Sequence, residues 1–165
     1  MGSLQQAFHD TGAPALSSLQ GRYEATLAGP TWFRGPALMV VHRTGMPGWW
    51  GKEFALDDSG TALEGRNLVR VGDALHASLP MHAVLGSSRI DRRPALVLTY
   101  GSTAPLPWRR VTDEVRPLGN GILIGLSFGL LVPPGGSPFL LRPDPSGGAA
   151  TPGASSPPSA PGGSQ

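Results

Sequence analysis

In the stretch Trp108–Arg116, strand alternation places Arg109, Val111, Asp113 and Val115 on one face. If the two valines face inward, Asp113 does too. A carboxylate inside an apolar core needs either a partner or a chemical task. Tyr100 and His82 stand on nearby strands of the same meander, so Asp113, Tyr100 and His82 form a candidate acid/base group. A carboxylate paired with Tyr or His in an apolar pocket can move protons on a polyketide-, terpenoid- or steroid-like substrate. The competing expectation is a structural ion pair of Asp113 with Arg110, Arg116 or Arg142.

Lys52 follows two adjacent indoles in Trp49-Trp50-Gly51-Lys52. Neighbouring residues on a strand point to opposite faces, so one indole enters the interior and the other covers the outside or the mouth. The expected pocket is lined by Met39, Val41, Trp50, Leu98, Tyr100 and Phe128, with Lys52, Asp113 and His82 orienting the ligand. Lys52 would anchor an acidic group there. His42, His76 and His82 follow no metal-ligand spacing, so neither a metal nor another cofactor is expected. The chain shows no nucleophile elbow, phosphate loop or dinucleotide fingerprint.

Those side chains need a frame, and composition limits which. The chain has 165 residues, enough for one domain with a core. It has no cysteine, which excludes disulfides, thiolate zinc sites and a cysteine nucleophile and fits a cytoplasmic location. The formal net charge of +2 gives little support to a nucleic-acid partner, which needs a clustered basic face. The longest apolar run, Gly121 to Val132, is too short to span a bilayer and is broken by glycines and Ser127. Nothing in the sequence speaks to oligomeric state.

From Gly21 to Arg142 the chain repeats strand, turn, strand. The expected strands are Arg22–Leu27, Ala37–Arg43, Trp49–Leu56, Thr61–Val71, Ala74–Leu79, Met81–Ile90, Ala95–Tyr100, Trp108–Arg116, Ile122–Leu131 and Pro138–Arg142. Asp57-Asp58-Ser59-Gly60 and Leu118-Gly119-Asn120-Gly121 are turn signals. Short strands at this spacing must protect their edges, and an all-β, antiparallel, up-and-down barrel does so by closing, with a sandwich as the alternative. Leu4–His9 and Pro14–Leu19 are expected as short helical pieces before it. In Ile122–Leu131 large residues alternate with Gly125, Ser127 and Gly129, which leaves room for a ligand, a helix or a bulky neighbour. The organisation is therefore a lead-in over 1–20, a barrel over 21–142 and a Pro/Gly/Ser-rich disordered tail over 143–165.

Leu19-Gln20-Gly21-Arg22-Tyr23-Glu24-Ala25 resembles the LxGxWxG opening of the GXWXG proteins. Trp49-Trp50-Gly51-Lys52-Glu53-Phe54 is similar to their WxGKxF element, and Tyr100 through Asp113 to Gly125 to the DUF4334 domain often fused behind it. Tyr23 stands where Trp is usual, and Ala25 where the second Gly is expected. The resemblance implies a lipocalin-like (calycin-type) barrel with a small apolar ligand. It carries over Gly21, Tyr23, Trp50, Gly51, Lys52 and Asp113. It also implies that Arg142 packs over Tyr23, as a late arginine covers the first-strand Trp in lipocalins.

Three functions follow as expectations. The first is binding of a small hydrophobic or amphipathic molecule in the barrel. The second is a cyclase or isomerase of specialised metabolism using the same pocket. The third is a structural or interaction module with a filled barrel.

Overall fold

The computed structural model describes residues 2–29, 31–129 and 136–146. Helix α1 (Gly2–Asp10) and a 3-10 turn (Leu16–Leu19) lead into β1 (Gly21–Leu27). Helix α2 (Thr31–Arg43) follows, and then seven strands: β2 (Trp49–Leu56), β3 (Leu63–Val71), β4 (Ala74–Ser87), β5 (Pro94–Thr99), β6 (Thr112–Gly119), β7 (Ile122–Phe128) and β8 (Ser137–Pro143). A second 3-10 turn, Trp108–Arg110, precedes β6. Each strand pairs antiparallel with the next, and β8 returns to β1 to close the barrel. The all-β, up-and-down, lipocalin-like architecture is therefore present.

The expected strand Ala37–Arg43 is instead the second half of α2. A short apolar run such as Ala37-Leu38-Met39-Val40-Val41 has no period that separates strand from helix. Both neighbours of β1 are already β2 and β8, so a strand here would have no ladder to join. The helix ends cleanly. His42 and Arg43 lie in its last turn, favourable against the dipole. Gly45 takes φ +102, and Met46 N–H donates to the Val41 carbonyl at 3.2 Å. That is a Schellman stop, with Met46 and Val41 both turned to the apolar interior.

The two strands expected over Ala74–Leu79 and Met81–Ile90 are one long strand, β4. Arg66 pairs with Pro80 while Asn67 pairs with Ser78, so Leu79 is a bulge residue, at φ +33. The bulge absorbs Pro80, which lacks a ladder donor, and lets the strand bend without ending. Trp108–Arg110 is a turn and not the start of a strand. The last residues of the expected strand to Leu131, and the tail beyond Ser146, lie outside the described residues.

The barrel separates two apolar groups. Inside, Leu63, Leu96, Leu98, Val115, Leu123 and Leu141 are fully or almost fully buried and fill one half of the interior. Leu16 and Leu19 of the first 3-10 turn pack against this cluster at that end. Outside, α1 lays Phe8 against Ala95, Ile124, Leu126 and Phe128. Phe128 therefore packs under a helix on the outer face and does not line an inner pocket. Gly125 points inward on β7, and a Cβ there would lie 2.2 Å from the Phe139 ring. The glycine makes room for a bulky neighbour.

Arg116 holds the outer layer together. It is completely buried, and its guanidinium donates to both oxygens of Asp91 at 2.7 and 2.8 Å. It also donates to the carbonyls of Phe8, Pro94 and Arg93 and lies 4.3 Å from the Phe8 ring centre. Hydrogen bonds from Arg116 hold the Asp91 carboxyl well below the usual carboxylate range. Replacing Arg116 by Met leaves Asp91 without its main partner and should destabilise the fold by about 3 kcal/mol in urea denaturation. In the native protein the Asp91 contribution is complete above the ordinary carboxylate pKa of about 4. It is lost only as pH falls through the depressed value. An acid titration of stability for Arg116→Met should therefore lose part of the native protein's slope below about pH 4.

Candidate functional site

The bulge that opens β2 builds one side of the site. Trp49 pairs with Val69 and Gly51 with Leu68, so Trp50 is the extra residue. Alternation is reset across it. Trp49, not Trp50, shares the inward face with Lys52. Trp50 lies outside, with the Arg70 guanidinium 5.8 Å from its ring centre. Gly51 is required at the same place, since a Cβ would lie 1.9 Å from the Tyr23 carbonyl oxygen of β1.

Four inward side chains meet across the barrel: Lys52 of β2, Asn67 of β3, Tyr100 just after β5 and Asp113 of β6. Their relative exposures are 2, 0, 4 and 3%. The Lys52 ammonium is 3.0 Å from Asp113 Oδ2. It donates to Tyr100 Oη at 2.9 Å and to Asn67 Oδ1 at 3.1 Å. Tyr100 O–H donates to the same Asp113 oxygen at 3.0 Å. Trp49 Nε1 donates to Asn67 Oδ1 at 3.1 Å. The rings of Trp49, Tyr100 and Phe139 surround the ammonium, with centres 5.4 to 5.9 Å away. All three ammonium protons thus have oxygen acceptors. Among the described residues, no buried side-chain N or O atom lacks a hydrogen-bond partner.

The electrostatics follow from this packing. Burial alone would lower the Lys52 pKa, but the charge of Asp113 and the hydrogen bonds from the ammonium overcome it and raise the value. Lys52 is therefore charged throughout neutral pH. Burial first, and the Asp113 charge second, push the Tyr100 phenol up to about 12. Tyr100 is thus a fixed donor to Asp113 at neutral pH and not a base. Lys52 occupies the role that Arg110, Arg116 or Arg142 was expected to fill. Arg110 is exposed, Arg116 serves Asp91, and Arg142 donates to Thr26 on the outer surface. Arg142 does not cover Tyr23. It is paired with Glu24, one residue along β1, and so faces the other side of the sheet.

Above this polar group lies a cavity of about 200 Å³. Its walls are mainly Leu27, Met46, Trp49, Trp108, Phe139 and the inner side of α2, through Pro36, Ala37, Val40 and Val41. Ser127 and Ser137 add two hydroxyls on the β7–β8 side. The helix lies across the cavity as a cover. Trp108 Nε1 donates to the Thr44 carbonyl and ties the β5–β6 connection to the end of that helix.

Tyr100, Asp113, Lys52 and Val41 come together around this cavity. The other expected site residues do not. Leu98 is in the filled half of the barrel. Met39 is 62% exposed on the outer side of α2. Trp50 and Phe128 are outside the barrel wall, for the reasons above. His82 is an exposed β4 residue whose Nδ1 is 2.9 Å from Glu64 Oε1, on the opposite sheet face from Asp113. The site also takes in Asn67, Trp108 and Ser137, with Trp49 as the indole that enters the interior and Ser127 from the small-residue face of β7. Asn67 had a readable signal, because it alternates with Leu63 and Gly65 on an inward face. Among the described residues no three His, Asp or Glu side chains are placed to hold a metal. No described helix is long and apolar enough to cross a membrane.

No family model matches the chain, and no curated protein matches it. The fold is similar to that in a crystal structure of a protein from Thermomonospora curvata, at TM-score 0.61 and 18% identity. The match covers 87% of this chain and 86% of that one. At that identity the likeness speaks for the fold alone.

The buried pair predicts strong coupling. Lys52→Met strands a buried carboxylate and should cost about 3 to 5 kcal/mol. Lys52→Met with Asp113→Leu removes both charges and should cost less than the sum of the single changes. Equilibrium unfolding of the four proteins measures this, and simple additivity would mean that the pair does not interact.

Proposed function

We propose that the barrel binds a small, mainly apolar molecule with one neutral polar end. One observation carries this reading. Every charged group lining the cavity is gathered at one place, and the remaining walls are largely apolar. Such a layout buries an apolar body and orients it by a few polar contacts. A dry cavity of about 150 Å³ accommodates a benzene-sized molecule, so the space here suits a ligand of one or two rings or a short branched chain. It is much larger than a water site, which argues against a completely filled barrel.

The polar end of the ligand is neutral on electrostatic grounds. Lys52 is already matched by Asp113, and its three donors are engaged. A ligand carboxylate would have to displace one of those partners and bring a second buried negative charge beside Asp113. A carbonyl or hydroxyl can instead use the hydroxyls of Ser127 and Ser137 on the same cavity wall. The resemblance to the GXWXG and DUF4334 proteins supports the same reading.

A second reading, a cyclase or isomerase, rests on Asp113 lying in the cavity wall. Against it, Asp113 Oδ2 is already engaged by both the Lys52 ammonium and the Tyr100 phenol, so that oxygen is not free to reach a substrate proton. Binding is the better supported of the two.

Native mass spectrometry of protein purified from its host should show a retained small molecule. Ser127→Leu, which fills the cavity, should remove it while leaving the circular dichroism spectrum intact. Trp49 and Trp108 line the cavity, so their fluorescence should respond to a bound ligand in the native protein only. A barrel that takes up none of a panel of apolar carbonyl and hydroxyl compounds defeats the binding reading. If Asp113→Asn retains binding but abolishes turnover of a bound compound, the enzymatic reading takes its place.

A further inference from the structure

We infer that the α2 end of the barrel is a docking surface for an anionic lipid bilayer. The inference starts from exposed apolar side chains, more of which lie at this end than elsewhere; Val84, Leu85 and Leu118 are exposed on β4 and at the β6–β7 turn. Trp32, Leu38 and Met39 of α2 are 72, 39 and 62% exposed, and Leu106 of the β5–β6 connection is 53% exposed. At 100° per residue, Leu38 and Met39 lie on the opposite side of the helix from the cavity-lining Ala37, Val40 and Val41. The cover helix is thus apolar on both sides. Its inner side has a cavity to line, and the outer side faces solvent. Exposed apolar side chains gathered in one place mark a surface with a partner.

Charge identifies the partner. Arg34 and Arg43 flank the exposed side of α2, and the helix has no Asp or Glu. Arg109 and Arg110 are exposed in the connection that the Trp108–Thr44 hydrogen bond ties to the helix end. The hairpin between β3 and β4 reaches the same end and adds exposed Val71 and one acidic residue, Asp73. The carboxylates of Asp57, Asp58 and Asp144, of which Asp58 is exposed and the other two half-buried, belong to the opposite end. Trp, Leu and Met interleaved with Arg, on a helix without acidic residues, suit the boundary between headgroups and acyl chains. A nucleic acid would use the arginines but not the exposed Leu38 and Met39.

Docking in this orientation sets the cavity cover against the bilayer, so an apolar ligand could pass between membrane and barrel without crossing water. The docking itself does not depend on what the cavity holds.

Co-flotation of the full chain with phosphatidylserine-rich vesicles tests it, beside pure phosphatidylcholine vesicles and single-stranded DNA. Binding is expected to the anionic vesicles alone and to weaken as salt is raised. Each of Arg34→Gln and Arg43→Gln should lower the partition about fivefold. Leu38→Glu with Met39→Glu should abolish it, with circular dichroism unchanged. The inference is overturned by failure to float with anionic vesicles, by flotation that the Leu38→Glu, Met39→Glu variant retains, or by binding to DNA in place of vesicles.

Discussion

Everything in this molecule depends on the seam between β8 and β1. Five residue pairs, from Tyr23–Pro143 to Leu27–Phe139, join the last strand to the first. The seam gives each strand two neighbours, so no edge is left to pair with another chain. It also creates an inside. Lys52 and Asp113 belong to strands far apart in sequence, and only closure brings them face to face in a place water does not reach.

The closed barrel has two unlike halves. One is filled by aliphatic side chains and stoppered by the first 3-10 turn. The other is left open by Ser127 and Ser137, small residues in the cavity wall, and is covered by α2. The polar group lies between these halves. In that low-dielectric setting an unmatched charge would be very costly, which explains why Lys52, Asn67, Tyr100 and Trp49 are so fully cross-bonded. The same economy of partners makes the site electrically neutral, which in turn favours a neutral ligand. On the outer face Arg116 performs an analogous task, matching Asp91 and accepting α1 as its roof.

Much of this was legible residue by residue. The inward position of Asp113 followed from Val111 and Val115, because strand alternation is a strict period of two. The small residues of β7 announced a neighbour that needed room, and Phe139 is that neighbour. Other features have local causes that the sequence hides. The bulge that turns Trp50 outward resets alternation and leaves no mark on composition. The run Ala37–Arg43 reads as a strand by its apolar residues, although His42-Arg43-Thr44-Gly45 is a helix-stop signal. The outward positions of Phe128 and His82 are not legible, because a strand with apolar residues on both faces does not say which face is inner.

By itself, the sequence determined that this chain is a meander of short antiparallel strands, with a buried carboxylate near its end and a lysine beside indoles near its start. Those are properties of neighbours along the chain, set by turn residues and by the period of a strand. Only the tertiary structure decided that Lys52, and no arginine, neutralises Asp113, that Asn67 joins them, and that a helix covers the cavity. These depend on bulges, on the register of the closing seam and on which of two apolar faces turns inward. Each is a choice between arrangements of similar local energy, and packing across the whole barrel resolves it.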